Sequence, residues 1–221
     1  MSGLILPPSA RPLASAPVDG FPVILADPPW TFETYSEKGK DFSPERHYKC
    51  MTLADIKALP VADVAAKDCV LLMWAVDPLL DKAFDVIRAW GFKYKTVGFY
   101  WVKSGRGLRL HKGMGYWTRA NPEVCLLATR GKPKRVSANV DRAVIAPIGR
   151  HSEKPHVIYE RTEKLVAGPY LEMFARYGRP GPWWQWGNQV GLLGGEPKPF
   201  DLSPDLPATL AEPVQPSFMV A

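Results

Sequence analysis

The chain has 221 residues, 46% hydrophobic and 23% charged, a composition that fits one globular domain with flanking tails. No apolar run approaches the roughly 20 residues that cross a bilayer, so no transmembrane helix is predicted. The net charge of +6 is unevenly placed: thirteen Lys or Arg stand against two acids between Lys93 and Arg150, so that segment carries +11 and the remainder −5.

The predicted elements follow a clear order. Residues 1–20 are rich in Pro, Ala and Ser and read as a flexible segment without the basic n-region of a secretory signal. In "FPVILADPPW" (21–30) a short β-branched run reads as a buried strand, which stops on an acid, two prolines and a tryptophan. "TLADIKAL" (52–59) reads as a short helix opened by a Thr cap, and "CVLLMWAV" (69–76) as a buried strand. "DPLLDKAFDVIRAWG" (77–91) places Asp as N-cap, Pro at the first helical position and Gly just past the end. Its Leu80, Ala83, Phe84, Ile87 and Trp90 recur at spacings of three or four, which gives one buried face. "KTVGFYWV" (95–102), "EVCLLATR" (123–130) and the weaker "VIAPI" (144–148) read as strands, and "HVIYERTEKLVA" (156–167) as a helix. "PYLEMFAR" (169–176) and "WWQWG" (183–187) close a domain spanning 21–190, and a Pro-rich tail occupies 191–221. Alternating strands and helices predict an α/β domain with a mostly parallel sheet, whose ligands sit outside the carboxyl ends of the strands.

The cysteines Cys50, Cys69 and Cys125 are odd in number and lack metal-ligand spacing, and two of them lie in strand-like runs. They predict reduced thiols and a cytoplasmic setting, with no metal. The basic segment suits a polyanion, because each neutralised phosphate releases condensed counterions; a plain solvated basic surface is the competing reading.

At the end of the first strand, Asp27 is an acceptor-only carboxylate, and Pro28 keeps its C=O while losing its N–H. Two fixed acceptors suit both hydrogens of a planar –NH₂ group, with Trp30 beside them to stack on a ring. Such a grip favours pyramidalising a nucleobase amino nitrogen and freeing its lone pair for attack, without a covalent intermediate. The competing reading is that Pro28 and Pro29 merely end the strand and Trp30 belongs to the core. Further on, "KSGRGLRLHKGMGYWTRAN" (103–121) combines glycines and cations with an aromatic pair and has no period. It reads as a loop in which Lys103, Arg106, Arg109, Lys112 and Arg119 grip phosphates while Tyr116 or Trp117 stacks on a flipped base. An ordinary surface loop is the alternative.

"ILADPPW" resembles the catalytic motif of the MT-A70 family of N6-adenine methyltransferases. "HYKCMTLADIKALPV", "AWGFKYKTVGFYWVKS", "GYWTRANPEVCLLATRGKP", "RHSEKPHVIYERTEKL" and "YLEMFARYGRPGPWWQWGNQV" resemble its further motifs in the family's order, from about Phe21 to Val190. The resemblance implies a Rossmann-like class I methyltransferase, circularly permuted, with helices on both faces of a mostly parallel sheet. It implies methyl transfer from S-adenosylmethionine to the N6 amino group of adenine in nucleic acid, DNA ahead of RNA. By residue, it implies that Asp27, Pro28, Pro29 and Trp30 hold the adenine amino group and the methionine end of the cofactor, with Ala26 beside them. Tyr48 would line the active-site loop and Lys154 would pair with the cofactor carboxylate. Glu172, Phe174, Arg176, Asn188 and Gln189 would surround the ribose and adenine. Phe174 is equally a core residue on sequence alone, and Glu123 either orients the Gly-Tyr-Trp loop or caps a basic patch. The alternatives are a catalytically silent scaffold of the same fold, or the same chemistry on RNA adenosine or cytosine N4. About twenty residues precede the first strand, fewer than the family pattern, so part of the cofactor pocket is expected from elsewhere. Substrate affinity then rests on the basic segment, a homodimer or a partner subunit.

Overall fold

The computed structural model describes residues 17–31, 51–105, 110–113, 115–149, 153–176 and 182–187. Tyr48, Arg106, Arg109, Asn188 and Gln189 lie outside the described residues, as do 1–16 of the first segment and the whole 191–221 tail.

Strand β1 (Phe21–Ala26) is followed by helices α1 (Leu53–Ala58) and α2 (Val61–Val64), then by β2 (Ala65–Ala75). After a 3-10 turn (Asp77–Leu79) come α3 (Leu80–Ala89), β3 (Lys93–Ser104), β4 (Pro122–Arg130) and β5 (Ala143–Pro147). The domain closes with α4 (Val157–Leu165), β6 (Tyr170–Met173) and β7 (Trp183–Trp186). Together the strands form one seven-stranded sheet in the order β5-β3-β4-β2-β1-β6-β7. Strand β4 runs antiparallel to both of its neighbours, and every other pairing is parallel. The sheet is therefore mostly parallel, as expected, and six strands end on one rim. Because β4 runs the other way, that same rim receives its beginning.

Side-chain alternation splits the core into two layers. On one face Ile24, Leu71, Met73 and Leu126 meet Ile56 of α1 and Ala83, Val86 and Ile87 of α3. On the other, Val23, Leu25, Leu72 and Cys125 meet Ile158 and Tyr159 of α4. Helices thus cover both faces. The chain leaves β1 over the first face and enters β6 from the second. The crevice between β1 and β6 is consequently where connections diverge, the usual ligand position in an open α/β sheet.

Local chemistry accounts for most element ends. The Thr52 hydroxyl accepts from Asp55 N–H and caps α1, as its sequence predicted. At the end of α3, Gly91 adopts φ +82°; its N–H donates to Arg88 C=O, and Phe92 N–H donates to Ile87 C=O, both at 3.0 Å. This is the Schellman pattern, and it places the left-handed residue at glycine. Trp90 is buried beside it and donates to Ile56 C=O at 2.8 Å, which ties α3 to α1. The Asp77 cap is not formed. Pro78 fixes φ in the first turn, which tightens to 3-10 with Leu79 N–H on Val76 C=O, and the α-helix starts only at Leu80. Among the described residues no helix is long and apolar enough to cross a membrane.

Candidate active site

Asp27 follows directly on β1, so its carboxylate stands at the rim. Its N–H still reaches Met173 C=O of β6 at 3.4 Å. The turn that follows is pinned at several points. Trp30 N–H donates to Pro28 C=O at 2.8 Å, and Met51 N–H donates to Pro29 C=O at 3.0 Å. Trp30 Nε1 donates to Trp74 C=O at 3.0 Å at the end of β2. Pro28 and Trp30 are both buried, and the indole, 4% exposed, packs in the first core layer. The stacking face expected of Trp30 is therefore taken up by the core, and the residue acts as a peg for the turn. Ala26 is likewise buried on that first face, opposite Leu25, so its side chain points away from the cleft.

The carboxylate of Asp27 meets Lys154, whose Nζ lies 2.6 Å from Oδ2. The same ammonium lies 3.3 Å from Glu123 Oε2, and Glu123 Oε1 takes Lys103 Nζ at 2.5 Å. Four charges of alternating sign thus run from the β1 end across the starts of α4 and β4 to the end of β3. Lys154 also sits 5.1 Å above the Trp74 ring, a cation–π contact on its apolar side. Burial disfavours the Lys154 charge, yet Asp27 and Glu123 outweigh it and raise its pKa above the usual lysine range. Burial likewise pushes the Glu123 carboxyl up, but Lys154 and Lys103 win and hold it below the usual glutamate range. Both groups are therefore ionised at neutral pH.

Beside this chain of charges opens a cleft lined by Leu25, Asp27, Trp74, Lys154, Glu172 and Phe174, with Glu153, Tyr159, Met173 and Arg176 around them. Glu172 of β6 accepts the Tyr159 hydroxyl of α4 at 2.6 Å. Phe174, the residue after β6, takes φ +64°, a left-handed conformation that costs a side chain about 1–2 kcal/mol. It is held there by its ring on Trp186 at 5.2 Å and by the Ala175 N–H on Trp186 C=O at 2.9 Å. Gly187 closes this corner: a Cβ there would lie 2.4 Å from Ala175 O. Phe174 is thus both packed against the core and a wall of the cleft.

The structure brings Asp27, Lys154, Glu172, Phe174 and Arg176 around one cleft. Lys112, Tyr116, Trp117 and Arg119 stand exposed on the 110–121 segment. That segment is anchored by Gly113 N–H on Ala120 C=O at 2.9 Å and by an Asn121 side-chain bond to His111 C=O. Lys103, expected with the phosphate-gripping cations, instead turns to Glu123. Leu25, Trp74, Glu153, Tyr159 and Met173 line the cleft without having been named as site residues from the sequence, and Glu123, read there as orienting the Gly-Tyr-Trp loop or capping a basic patch, instead joins Lys103 to Lys154. Tyr159 carried one signal, a hydroxyl-bearing residue on the apolar face of a predicted helix.

An open, mostly parallel sheet with a cleft at its crevice is a Rossmann-like arrangement, and the acid-proline-proline-tryptophan turn on its carboxyl rim is the motif whose resemblance implies a methyltransferase. Comparison with known proteins narrows the class. The MT-A70 family model matches residues 21–189. The chain is 30% identical over 188 residues to the type II methyltransferase M.MunI of Mycoplasma sp, covering 77% of this chain and 78% of that protein. It is 27% identical over 175 residues to the human N(6)-adenosine-methyltransferase catalytic subunit METTL3, and 28% identical to the Arabidopsis thaliana N(6)-adenosine-methyltransferase MT-A70-like protein. Of these two it spans only 28% and 24% of the length. The chain belongs to the MT-A70 family of N6-adenine methyltransferases.

Proposed function

We propose that this enzyme transfers the methyl group of S-adenosylmethionine to N6 of adenine in DNA. The observation that carries the reading is Asp27, fixed on a rigid turn at the mouth of the cleft with one carboxylate oxygen committed to Lys154. The second oxygen is left to accept one hydrogen of an incoming amino group. Pro28 C=O, which already takes Trp30 N–H, has a second lone pair for the other hydrogen.

The donor set of the cleft fits the cofactor. Lys154 has three N–H donors and spends two on carboxylates, so the third suits the cofactor's own carboxylate, with Arg176 nearby. Glu172, oriented by Tyr159, suits a ribose diol, and Leu25 and Phe174 supply the apolar wall for a purine. When bound there, S-adenosylmethionine supplies an electrophilic methyl group on a positively charged sulfur. The protein's part is positioning and electrostatics: Asp27 holds the amino nitrogen, favours its pyramidal form, and stabilises the positive charge it acquires. The proton then leaves N6 for Asp27 or water.

DNA is favoured because the match to M.MunI, a type II methyltransferase, covers most of both chains, whereas the adenosine methyltransferases are matched over about a quarter of their length. Trp117, wholly exposed on a segment with Lys112 and Arg119, suits stacking on a displaced base beside its phosphates. The test incubates the full chain with methyl-labelled cofactor and either DNA or RNA, then digests to nucleosides for mass spectrometry. N6-methyladenine in DNA, absent with Asp27→Ala, is expected. Label in RNA alone, label on cytosine N4, or equal signals from both proteins would overturn the reading.

A further inference from the structure

We propose that Lys103 is a positioning residue for methyl transfer, fixing Glu123 and through it the Lys154–Asp27 pair, and that it is not a phosphate contact. The inference rests on the active-site reading above and extends it to a residue that touches neither cofactor nor base.

Lys103 sits where strand β3 meets the basic segment. Its ammonium is held on two sides, by Glu123 Oε1 at 2.5 Å and by the Trp101 ring, whose centroid is 5.2 Å away. Trp101 is itself buried and donates to Ala146 C=O of β5 at 3.1 Å, so this wall is fixed. Cross-strand register places Glu123 opposite Trp101, which makes Lys103 its diagonal neighbour on the same face. Glu123 therefore has one oxygen for each of two ammoniums, Lys103 and Lys154. Lys154 in turn divides itself between Glu123 at 3.3 Å and Asp27 at 2.6 Å. The division is unequal because Lys103 already satisfies half of Glu123. Without Lys103, Glu123 is left with Lys154 alone among the two ammoniums, and Lys154 is drawn toward it and away from Asp27. The catalytic carboxylate then loses the partner that orients it.

The backbone of Lys103 carries a second link. His111 N–H donates to Lys103 C=O at 2.8 Å, and Lys103 N–H donates to Asn121 C=O at 3.3 Å. The segment bearing Lys112, Tyr116, Trp117 and Arg119 is thus rooted on the residue that ends the chain of charges. That segment is linked to Asp27 first by two backbone hydrogen bonds on Lys103 and then by ion pairs through Glu123 and Lys154.

The experiment compares wild type, Lys103→Met and Lys103→Arg as full chains, after circular dichroism has confirmed their fold. Steady-state methylation of a DNA duplex is followed across salt concentrations, and the Glu123 carboxyl is titrated by carbon NMR in the absence of cofactor and DNA. The expected result is a fall in kcat of about 10- to 100-fold for Lys103→Met with little change in KM or its salt dependence. Lys103→Arg, which keeps the charge, recovers most of kcat, and the Glu123 titration moves upward in Lys103→Met alone. A phosphate contact predicts the opposite: unchanged kcat, a raised KM, and a salt slope smaller by about 0.9. That pattern, or a Glu123 titration that stays in place in Lys103→Met, overturns the proposal. If the wild type proves inactive on DNA, the substrate reading fails alone, because the titration still decides the role of Lys103.

Discussion

Lys154→Met is the sharpest perturbation of the site, since it removes one ammonium and keeps most of the aliphatic stem. Two carboxylates whose oxygens lay 2.6 and 3.3 Å from the same nitrogen are left without it. Breaking a fully buried pair costs about 3–5 kcal/mol; here Asp27 and Glu123 remain about a third exposed, so water recovers part and about 1–3 kcal/mol remains. In a domain of this size that lowers Tm by about 3–10 °C. The pH dependence has a defined sign. Glu123 is held below its ordinary 4.5, so its share is complete above that pH and disappears as pH falls through the folded value. Lys154 is held above its ordinary 10.5, so its share is complete below that pH and disappears as pH rises through the folded value. The stability gap between wild type and variant, measured by urea unfolding, is therefore widest between these limits and narrows on either side. Turnover falls by about 100-fold or more, because Asp27 loses its orientation. A variant that unfolds with the wild type at pH 7 and methylates equally well would show that the bridge neither stabilises the rim nor aims the carboxylate.

Three further perturbations separate cofactor, substrate and packing roles. Trp117→Ala leaves stability unchanged, since the ring is wholly exposed, but weakens DNA binding by the worth of one stacked base, about 1–3 kcal/mol; equal affinity by fluorescence anisotropy would remove Trp117 from the interface. Tyr159→Phe deletes the 2.6 Å bond to Glu172 and raises the calorimetric Kd for S-adenosylmethionine about tenfold, whereas unchanged affinity would place Glu172 outside the cofactor site. Gly187→Ala forces a Cβ to within 2.4 Å of Ala175 O, so stability falls by about 1–3 kcal/mol and cofactor affinity falls with it. Loss of stability with intact cofactor binding would show that this corner does not shape the cleft.

Much of the fold was legible because its signals are local. The apolar run at 69–76, the spacing of Ala83, Ile87 and Trp90, and Gly91 past the helix end each depend on neighbours a few residues away. The first four residues of β2 were not legible, since Ala65–Asp68 is half exposed and lacks a strand pattern, and only Ala65 pairs with β1 before the register shifts to Val23 opposite Val70. Helix α2, a single turn after Pro60, leaves too short a period to register. The cleft residues Lys154, Glu172 and Phe174 were reached only through the resemblance to the family. The partners of the charged residues were out of reach for a different reason. Lys154 stands 127 positions from Asp27, and Glu123 joins them only because β4 runs against the rest of the sheet and so begins on the rim where they end.

That reversal also explains how an acid comes to stand in the most basic part of the chain. Of the two acids among thirteen cations between Lys93 and Arg150, one is Glu123. In an electropositive segment proposed to hold phosphates, a carboxylate weakens the field unless it serves something else. Here it neutralises Lys154, which would otherwise be a nearly buried cation balanced by Asp27 alone. Asp27, in turn, takes its orientation at the edge of the cleft from Lys154, whose Nζ lies 2.6 Å from Oδ2. The two prolines complete the arrangement: without N–H groups of their own, they leave Asp27 on a turn whose remaining backbone bonds run to Met51, Trp30 and Met173. The carboxylate is fixed before substrate arrives, so the cost of aiming it is met in folding and not in the transition state. The acid that looks misplaced in the basic segment is therefore the one that, through Lys154, orients the carboxylate proposed to act where the first strand ends.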